Sequence, residues 1–153
     1  MNWNEYFMEI ARTAAKKSTD PSTQVGCVIV DQNNRVVSCG YNNFPENANR
    51  EYMVNEKPMR YLLSVHAEMR ALLNAKTSVD GCKVYVTHAS CENCLKHMIV
   101  AGIKEITYEK LYTNGKFVDE EKQEAITRLM KATNIINKNM NGVSFLDDIK
   151  ENK

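Results

Sequence analysis

A strand, a helix and a second strand follow one another directly in residues 81–108, and this order restricts the fold more than any other feature. The run GCKVYVT is β-branched and apolar, as expected of a buried strand. Apolar residues then recur at helical spacing up to Gly102, a typical helix terminus, and IKEITY returns to the strand pattern. Such a unit forms a right-handed crossover between two parallel strands. The sequence therefore predicts an α/β fold.

An antiparallel hairpin precedes the crossover. The β-branched runs 25–31 and 35–41 flank the residues QNN, whose Asn pair suits a tight turn. Helical spacing predicts further helices from Trp3 to near Lys17, over 66–76 and over 119–134. Hairpin and crossover together predict a mixed sheet.

Two segments lack such regular patterns. Residues 42–64 carry prolines, asparagines and mixed charges, which predicts a loop with a short helical piece, and a loop of this length is often functional. Residues 134–140 predict a last strand, and the polar end of the chain predicts a flexible tail over 146–153. We expect one domain over 1–153, with its core at about 3–145.

Composition excludes several classes of protein. The 153 residues carry 20 Lys and Arg against 19 Asp and Glu, so no basic field points to nucleic acid or to an anionic membrane. No apolar run approaches the roughly 20 residues of a membrane span, and the N-terminus lacks a signal peptide pattern. Five cysteines, an odd number, argue against a secreted disulfide scaffold. We therefore expect a cytoplasmic protein with a small-molecule partner.

Four residues form a candidate metal site. His66 begins one predicted helix, and Cys91 and Cys94 lie one turn apart at the start of another. One imidazole and two thiolates leave the fourth position of a tetrahedral zinc site open, as in catalytic rather than structural sites. Glu68, two residues after His66, is placed to carry protons between water and a substrate nitrogen. A redox role for the two cysteines is the alternative, but thioredoxin-like motifs lack an upstream His-Glu pair.

These residues and their surroundings resemble the zinc-dependent cytidine and deoxycytidylate deaminases. The motifs match the deoxycytidylate branch over about residues 3–145, in the order EYFMEIA, DPSTQVG, GYNNFP, HAEM, GCKVYVT, CENC and AGIKEITY. The resemblance implies a three-layer α/β/α fold with a mixed sheet of about five strands and helices on both faces. Three positions differ from the usual family residues: Ser90 replaces Pro, Arg70 replaces Asn, and Asn43 replaces the Gly of GYNG. We expect the Ser90 hydroxyl to cap the helix that follows it.

Transferred by position, the resemblance implies that His66, Cys91 and Cys94 bind Zn²⁺ and that Glu68 is the catalytic acid and base. Zinc hydroxide would attack C4 of cytosine while Glu68 moves protons, so that dCMP becomes dUMP, a precursor for thymidylate synthesis, and ammonia.

The resemblance also implies substrate contacts. Asn42 would contact the sugar hydroxyl, and the Ala67 backbone amide or a neighbouring carbonyl would contact the cytosine ring. From their positions in the chain alone, we expect Tyr112, after the fourth strand, to stack on or border the base, and Lys17, with nearby loop cations, to meet the 5′-phosphate.

Assembly and regulation follow from the same resemblance. It implies a homo-oligomer, commonly a hexamer, with dCTP and dTTP as effectors at a loop formed by Asn42, Asn43, Phe44 and Pro45.

Other functions stay open within this fold. They are deamination of another cytosine nucleoside or nucleotide, of a tRNA adenosine or of a purine base. A zinc-binding protein without catalytic activity is the alternative outside enzymes.

Overall fold

The chain folds around one five-stranded sheet, seen in a computed structural model that describes residues 1–111 and 119–152. The strands are β1 (Gly26–Val30), β2 (Val36–Tyr41), β3 (Lys83–His88), β4 (Glu105–Lys110) and β5 (Ile136–Asn139). Their order across the sheet is β2-β1-β3-β4-β5. β1 runs antiparallel to both β2 and β3, whereas β3, β4 and β5 are parallel. The predicted hairpin, crossover and last strand are confirmed.

Six α-helices and one 3₁₀ turn surround this sheet within residues 1–111 and 119–152. The α-helices are α1 (Trp3–Ala15), α2 (Met59–Leu63), α3 (Ala67–Asn74), α4 (Glu92–Ala101), α5 (Glu120–Ala132) and α6 (Phe145–Glu151), and the 3₁₀ turn is Arg50–Tyr52. The short α2 and the 3₁₀ turn confirm that 42–64 is mostly loop with short helical pieces. Within the described parts of the chain, no helix has the length and apolarity needed to cross a bilayer.

The sheet is buried on both faces. Val28 and Val30 of β1 pack against Phe7 of α1, while Cys27 and Ile29 belong to the larger core on the other face. Because successive strand residues point to opposite faces, a strand buried on both sides reads as one continuous apolar run. The larger core is closed by α3, α4 and α5. The predicted three-layer α/β/α arrangement is confirmed.

Most of the segment predicted as a flexible tail, 146–153, lies in a helix. Residues from Phe145 form α6, and the Phe145 side chain is fully buried in the larger core. Asp148 is buried too and accepts a hydrogen bond of 2.6 Å from the Tyr108 hydroxyl. The polar sequence did not predict this docking, because only a few residues of α6 face the core. A short helix gains its stability from such tertiary contacts.

Candidate active site

The candidate zinc ligands come together because the N-termini of two helices meet. His66 is the N-cap residue of α3, and Cys91 is the N-cap residue of α4, three residues after the end of β3. Cys94 lies one turn into α4 and is fully buried. Residues 66 and 91 are far apart in sequence, so the sheet and its crossover bring them together.

The three side chains form a compact donor set. His66 Nδ1 lies 3.3 Å from Cys94 Sγ and 3.5 Å from Cys91 Sγ. One ligand atom from each residue lies within 4.8 Å of the others. One nitrogen and two sulfur donors at such spacing fit Zn²⁺ and leave one coordination position for water.

The local charges favour a thiolate at Cys91. Hydrogen bonds from the Cys94 thiol and from His66 lower the pKa of Cys91 below its ordinary value. The backbone N–H of Cys94 adds a hydrogen bond of 3.4 Å to the same sulfur. The hydrogen bond with Cys91 raises the pKa of His66 to about 9, and the same pairing together with burial raises the pKa of Cys94. These shifts favour a thiolate at Cys91 and protonated forms of His66 and Cys94.

Glu68 is held in a dry environment beside this cluster. It is the second residue of α3, its exposed fraction is 5%, and it lines the same cavity as His66 and Cys91. Burial raises the pKa of Glu68 above its ordinary value. A carboxyl group with a pKa nearer neutrality is suited to both accepting and releasing a proton.

A cavity of about 350 Å³ opens next to the donor set. Asn42 and Ala67 line this cavity, as the predicted substrate contacts require. Lys17 is exposed after the end of α1 and is not among the lining residues. Tyr112 lies outside the described residues.

The four residues predicted to bind effectors divide between two environments. Asn42 alone among them lines the 350 Å³ cavity. Asn43 pairs with Val65 through backbone hydrogen bonds of 3.1 and 2.8 Å, and Phe44 is buried. Pro45 is exposed, and its carbonyl oxygen accepts from Ala48. Backbone hydrogen bonds thus hold this loop at Asn43 and at Pro45.

The sequence did not predict several of the residues that line the cavity. Arg60 and Tyr61 reach it from α2, which lies inside the 42–64 loop that the sequence singled out as functional. Lys122 reaches it from the first turn of α5, a helix that carries no motif. Arg60 is buried and ion-paired with Asp20 at 3.4 Å, whereas Lys122 is exposed.

The expected capping role of Ser90 is wrong. Cys91 is the N-cap of α4, and its sulfur receives the N–H of Cys94. Ser90 itself is buried, at 1% exposure, between β3 and this cap. The thiolate takes the position that a serine hydroxyl usually holds, because a sulfur aimed at a helix N-terminus is stabilised by the free N–H groups there.

Comparison with known proteins shows that the chain is similar to one family of enzymes. The family described as the cytidine and deoxycytidylate deaminase zinc-binding region matches residues 1–110. The deoxycytidylate deaminase of Mus musculus is 35% identical over 142 residues, covering 88% of this chain and 78% of the mouse protein. The Homo sapiens deoxycytidylate deaminase is 35% identical over 152 residues, covering 95% and 79% respectively.

A solved structure shares the architecture. The dCMP deaminase from the cyanophage S-TIM5, in apo form, superimposes with a TM-score of 0.69 at 24% sequence identity. The match covers 90% of this chain and 96% of the phage protein. The three-layer arrangement of the sheet and helices is therefore common to both.

Proposed function

Because the chain belongs to the cytidine and deoxycytidylate deaminase zinc-binding family, we propose that it hydrolyses dCMP to dUMP and ammonia. The observation that carries this proposal is the donor set of His66, Cys91 and Cys94 beside the buried Glu68 in one cavity. The cavity volume of about 350 Å³ suits a single nucleotide rather than a polymer.

We assign the zinc ion to His66, Cys91 and Cys94. Zinc bound there supplies a Lewis acid, which lowers the pKa of water from about 16 toward about 7. Glu68 takes a proton from the attacking water and delivers it to N3 of cytosine. It then takes the second proton of that water from the hydroxyl on C4 and passes it to the C4 amino group, which leaves as ammonia, so water and dCMP balance dUMP and ammonia.

The backbone of α3 offers a second contact to the base. Ala67 is the first residue of that helix, so its N–H has no partner within the helix. It also lines the cavity. We assign this N–H to the cytosine ring and the Asn42 side chain to the sugar hydroxyl.

The 5′-phosphate needs a cation. Among the residues that line the cavity, Lys122 and Arg60 carry full positive charges, and Arg60 is already paired with Asp20. We therefore assign the phosphate to Lys122, in addition to Lys17, which its position in the sequence suggests.

The test is a comparison of substrates on zinc-loaded protein. Loss of cytosine absorbance and release of ammonia are followed with dCMP, deoxycytidine, cytidine and dCTP. Turnover confined to dCMP supports the proposal. Turnover of deoxycytidine or dCTP instead would assign another cytosine substrate, and stoichiometric zinc without any turnover would indicate a catalytically inactive protein.

We also infer a homo-oligomer, with a hexamer favoured, dCTP and dTTP as effectors and a cytoplasmic location. The assembly and the effectors derive from the family resemblance, and the location derives from the odd number of cysteines. Light scattering on the purified protein tests the assembly, and a monomer would contradict it. Initial rates with and without each effector test the regulation.

A further inference from the structure

We propose that Arg70 is a positioning residue for this deamination, which fixes the loop after β2 so that Asn42 is presented to the substrate cavity. The inference rests on the proposed function. It concerns a position where this chain has Arg in place of the Asn common in the family.

The Arg70 side chain reaches from α3 to the loop that follows β2. Nε donates to the Tyr41 carbonyl at 3.0 Å, and Nη2 donates to the carbonyls of Asn43 at 3.2 Å and Phe44 at 2.9 Å. Nη1 bonds to the Glu46 carboxylate at 3.0 Å. The guanidinium carbon also lies 5.1 Å from the centre of the Tyr41 ring. All three side-chain nitrogens are therefore engaged by one short loop.

These contacts lie on both sides of Asn42. Tyr41 precedes Asn42 and Asn43 follows it, so Arg70 holds the backbone immediately before and after the residue. The Asn42 side chain is anchored separately: Oδ1 accepts from Val25 N–H at 2.8 Å, and Nδ2 donates to the Thr23 carbonyl at 2.9 Å. An amide nitrogen carries two N–H groups, so the second remains for a ligand. Together these contacts leave Asn42 one orientation at the cavity wall.

Arg70 also connects this loop to the catalytic helix. It lies in α3 two residues after Glu68, and its own N–H bonds to the His66 carbonyl at 3.0 Å. A displacement of the loop relative to α3 would therefore break the guanidinium contacts. The Arg70 side chain in this way links the residue proposed to contact the sugar to the helix that carries Glu68.

Arg70 fixes the loop through its hydrogen bonds to neutral carbonyls and not through its ion pair with Glu46. The exposed fraction of Arg70 is 7%, whereas the Glu46 side chain is 63% exposed and remains hydrated. Ion pairs with one exposed partner contribute little, but buried carbonyls left without a donor are costly. Lysine cannot replace arginine here, because its single ammonium group lacks the planar fork that reaches several carbonyls at once.

The experiment compares Arg70→Lys with wild-type protein and with Glu46→Gln, both loaded with zinc. We expect Arg70→Lys to raise KM for dCMP about tenfold, with zinc stoichiometry retained and a much smaller change in kcat. Glu46→Gln, which removes only the exposed partner, should keep the wild-type KM. Arg70→Gln, which keeps an N–H donor without a charge, is the second variant if the lysine variant does not fold.

A double-mutant cycle with Asn42→Ala separates positioning from general stability. If Arg70 acts through Asn42, Arg70→Lys causes little further rise in KM once Asn42 is alanine. Equal effects in both backgrounds, unchanged KM in the single variant, or loss of zinc would each overturn the inference. Absence of dCMP turnover in the wild-type protein would instead contradict the proposed function itself, so the two failures are distinguishable.

Discussion

Gly40 in β2 packs directly against Ala67, the first residue of α3. A Cβ atom built at Gly40 would lie 2.3 Å from the Ala67 carbonyl oxygen and 2.6 Å from the Ala71 nitrogen. Both contacts are to backbone atoms, which cannot rotate away as a flexible side chain would. The absence of a side chain at Gly40 thus allows the helix that follows His66 and carries Glu68 to lie against the sheet.

We expect Gly40→Ala to displace α3 from the sheet. Overpacking of this kind costs about 1–3 kcal/mol of the free energy of unfolding, and the shift of His66 relative to Cys91 should weaken zinc binding. Urea unfolding and zinc competition titrations measure the two effects. Gly142→Ala is the control for backbone strain without a clash, because Gly142 has a positive φ and no atom within 4 Å of a built Cβ, whereas Gly40 is not among the glycines with positive φ. Equal loss of zinc affinity in the two variants would contradict the close-packing explanation.

Glu68→Gln should retain zinc and lose turnover. The amide keeps the size of the side chain but cannot carry a proton, and general acid–base catalysis contributes about 10²- to 10⁴-fold to rates. Zinc stoichiometry and the rate of ammonia release are measured on the same sample. Glu121→Gln, an exposed residue in the first turn of α5, is the control. A wild-type rate in Glu68→Gln would remove Glu68 from the mechanism.

Zinc binding to the metal-free protein should release about two protons near pH 7.5, because metal ligands bind in their deprotonated forms. The pKa of His66 is raised to about 9 and the pKa of Cys94 is raised as well, so both lose a proton on binding, whereas Cys91 is already a thiolate. Zinc affinity should therefore fall as the pH falls, since protons compete for the ligands.

The number of protons that the protein releases is measured with a pH indicator dye while the protein is titrated with zinc. The exposed Cys39 offers the control Cys39→Ser, which should release the same number of protons as wild type. Release of no protons would contradict the assigned protonation states.

Lys122→Gln should lower kcat/KM for dCMP far more than for deoxycytidine, which has no phosphate. Lys122 lines the cavity and is exposed, so its charge is available to an anionic ligand. The loss of a charge-assisted contact predicts about a tenfold change in the ratio of the two substrates. Lys131→Gln, at the other end of α5, is the control. An unchanged ratio in Lys122→Gln would assign the phosphate elsewhere.

The hydrogen bond from Tyr108 to Asp148 should stabilise the docking of α6. Tyr108→Phe leaves a buried carboxylate with one partner fewer, which costs about 1–3 kcal/mol of the free energy of unfolding. Urea unfolding measures the loss. Tyr52→Phe is the control, since Tyr52 is 70% exposed. A loss equal to that of the control would show that α6 does not depend on this contact.

The sequence by itself determined the five strands and the four long helices in their order along the chain, and it identified the candidate metal ligands. Periodicity identified the hairpin and the crossover because each depends on residues close together along the chain. His66, Glu68, Cys91 and Cys94 were recognisable because few other functions require one imidazole, one free carboxylate and two thiols at this spacing.

Only the tertiary structure decided which further residues reach the site. Lys122 and Arg60 come to the cavity from elements that carry no motif, and α6 docks through the isolated residues Phe145 and Asp148. The contacts of Arg70 with the loop after β2 depend on the packing of α3 against that strand. Such contacts join residues distant in sequence, and local patterns do not record which distant surfaces meet when the layers close around the sheet.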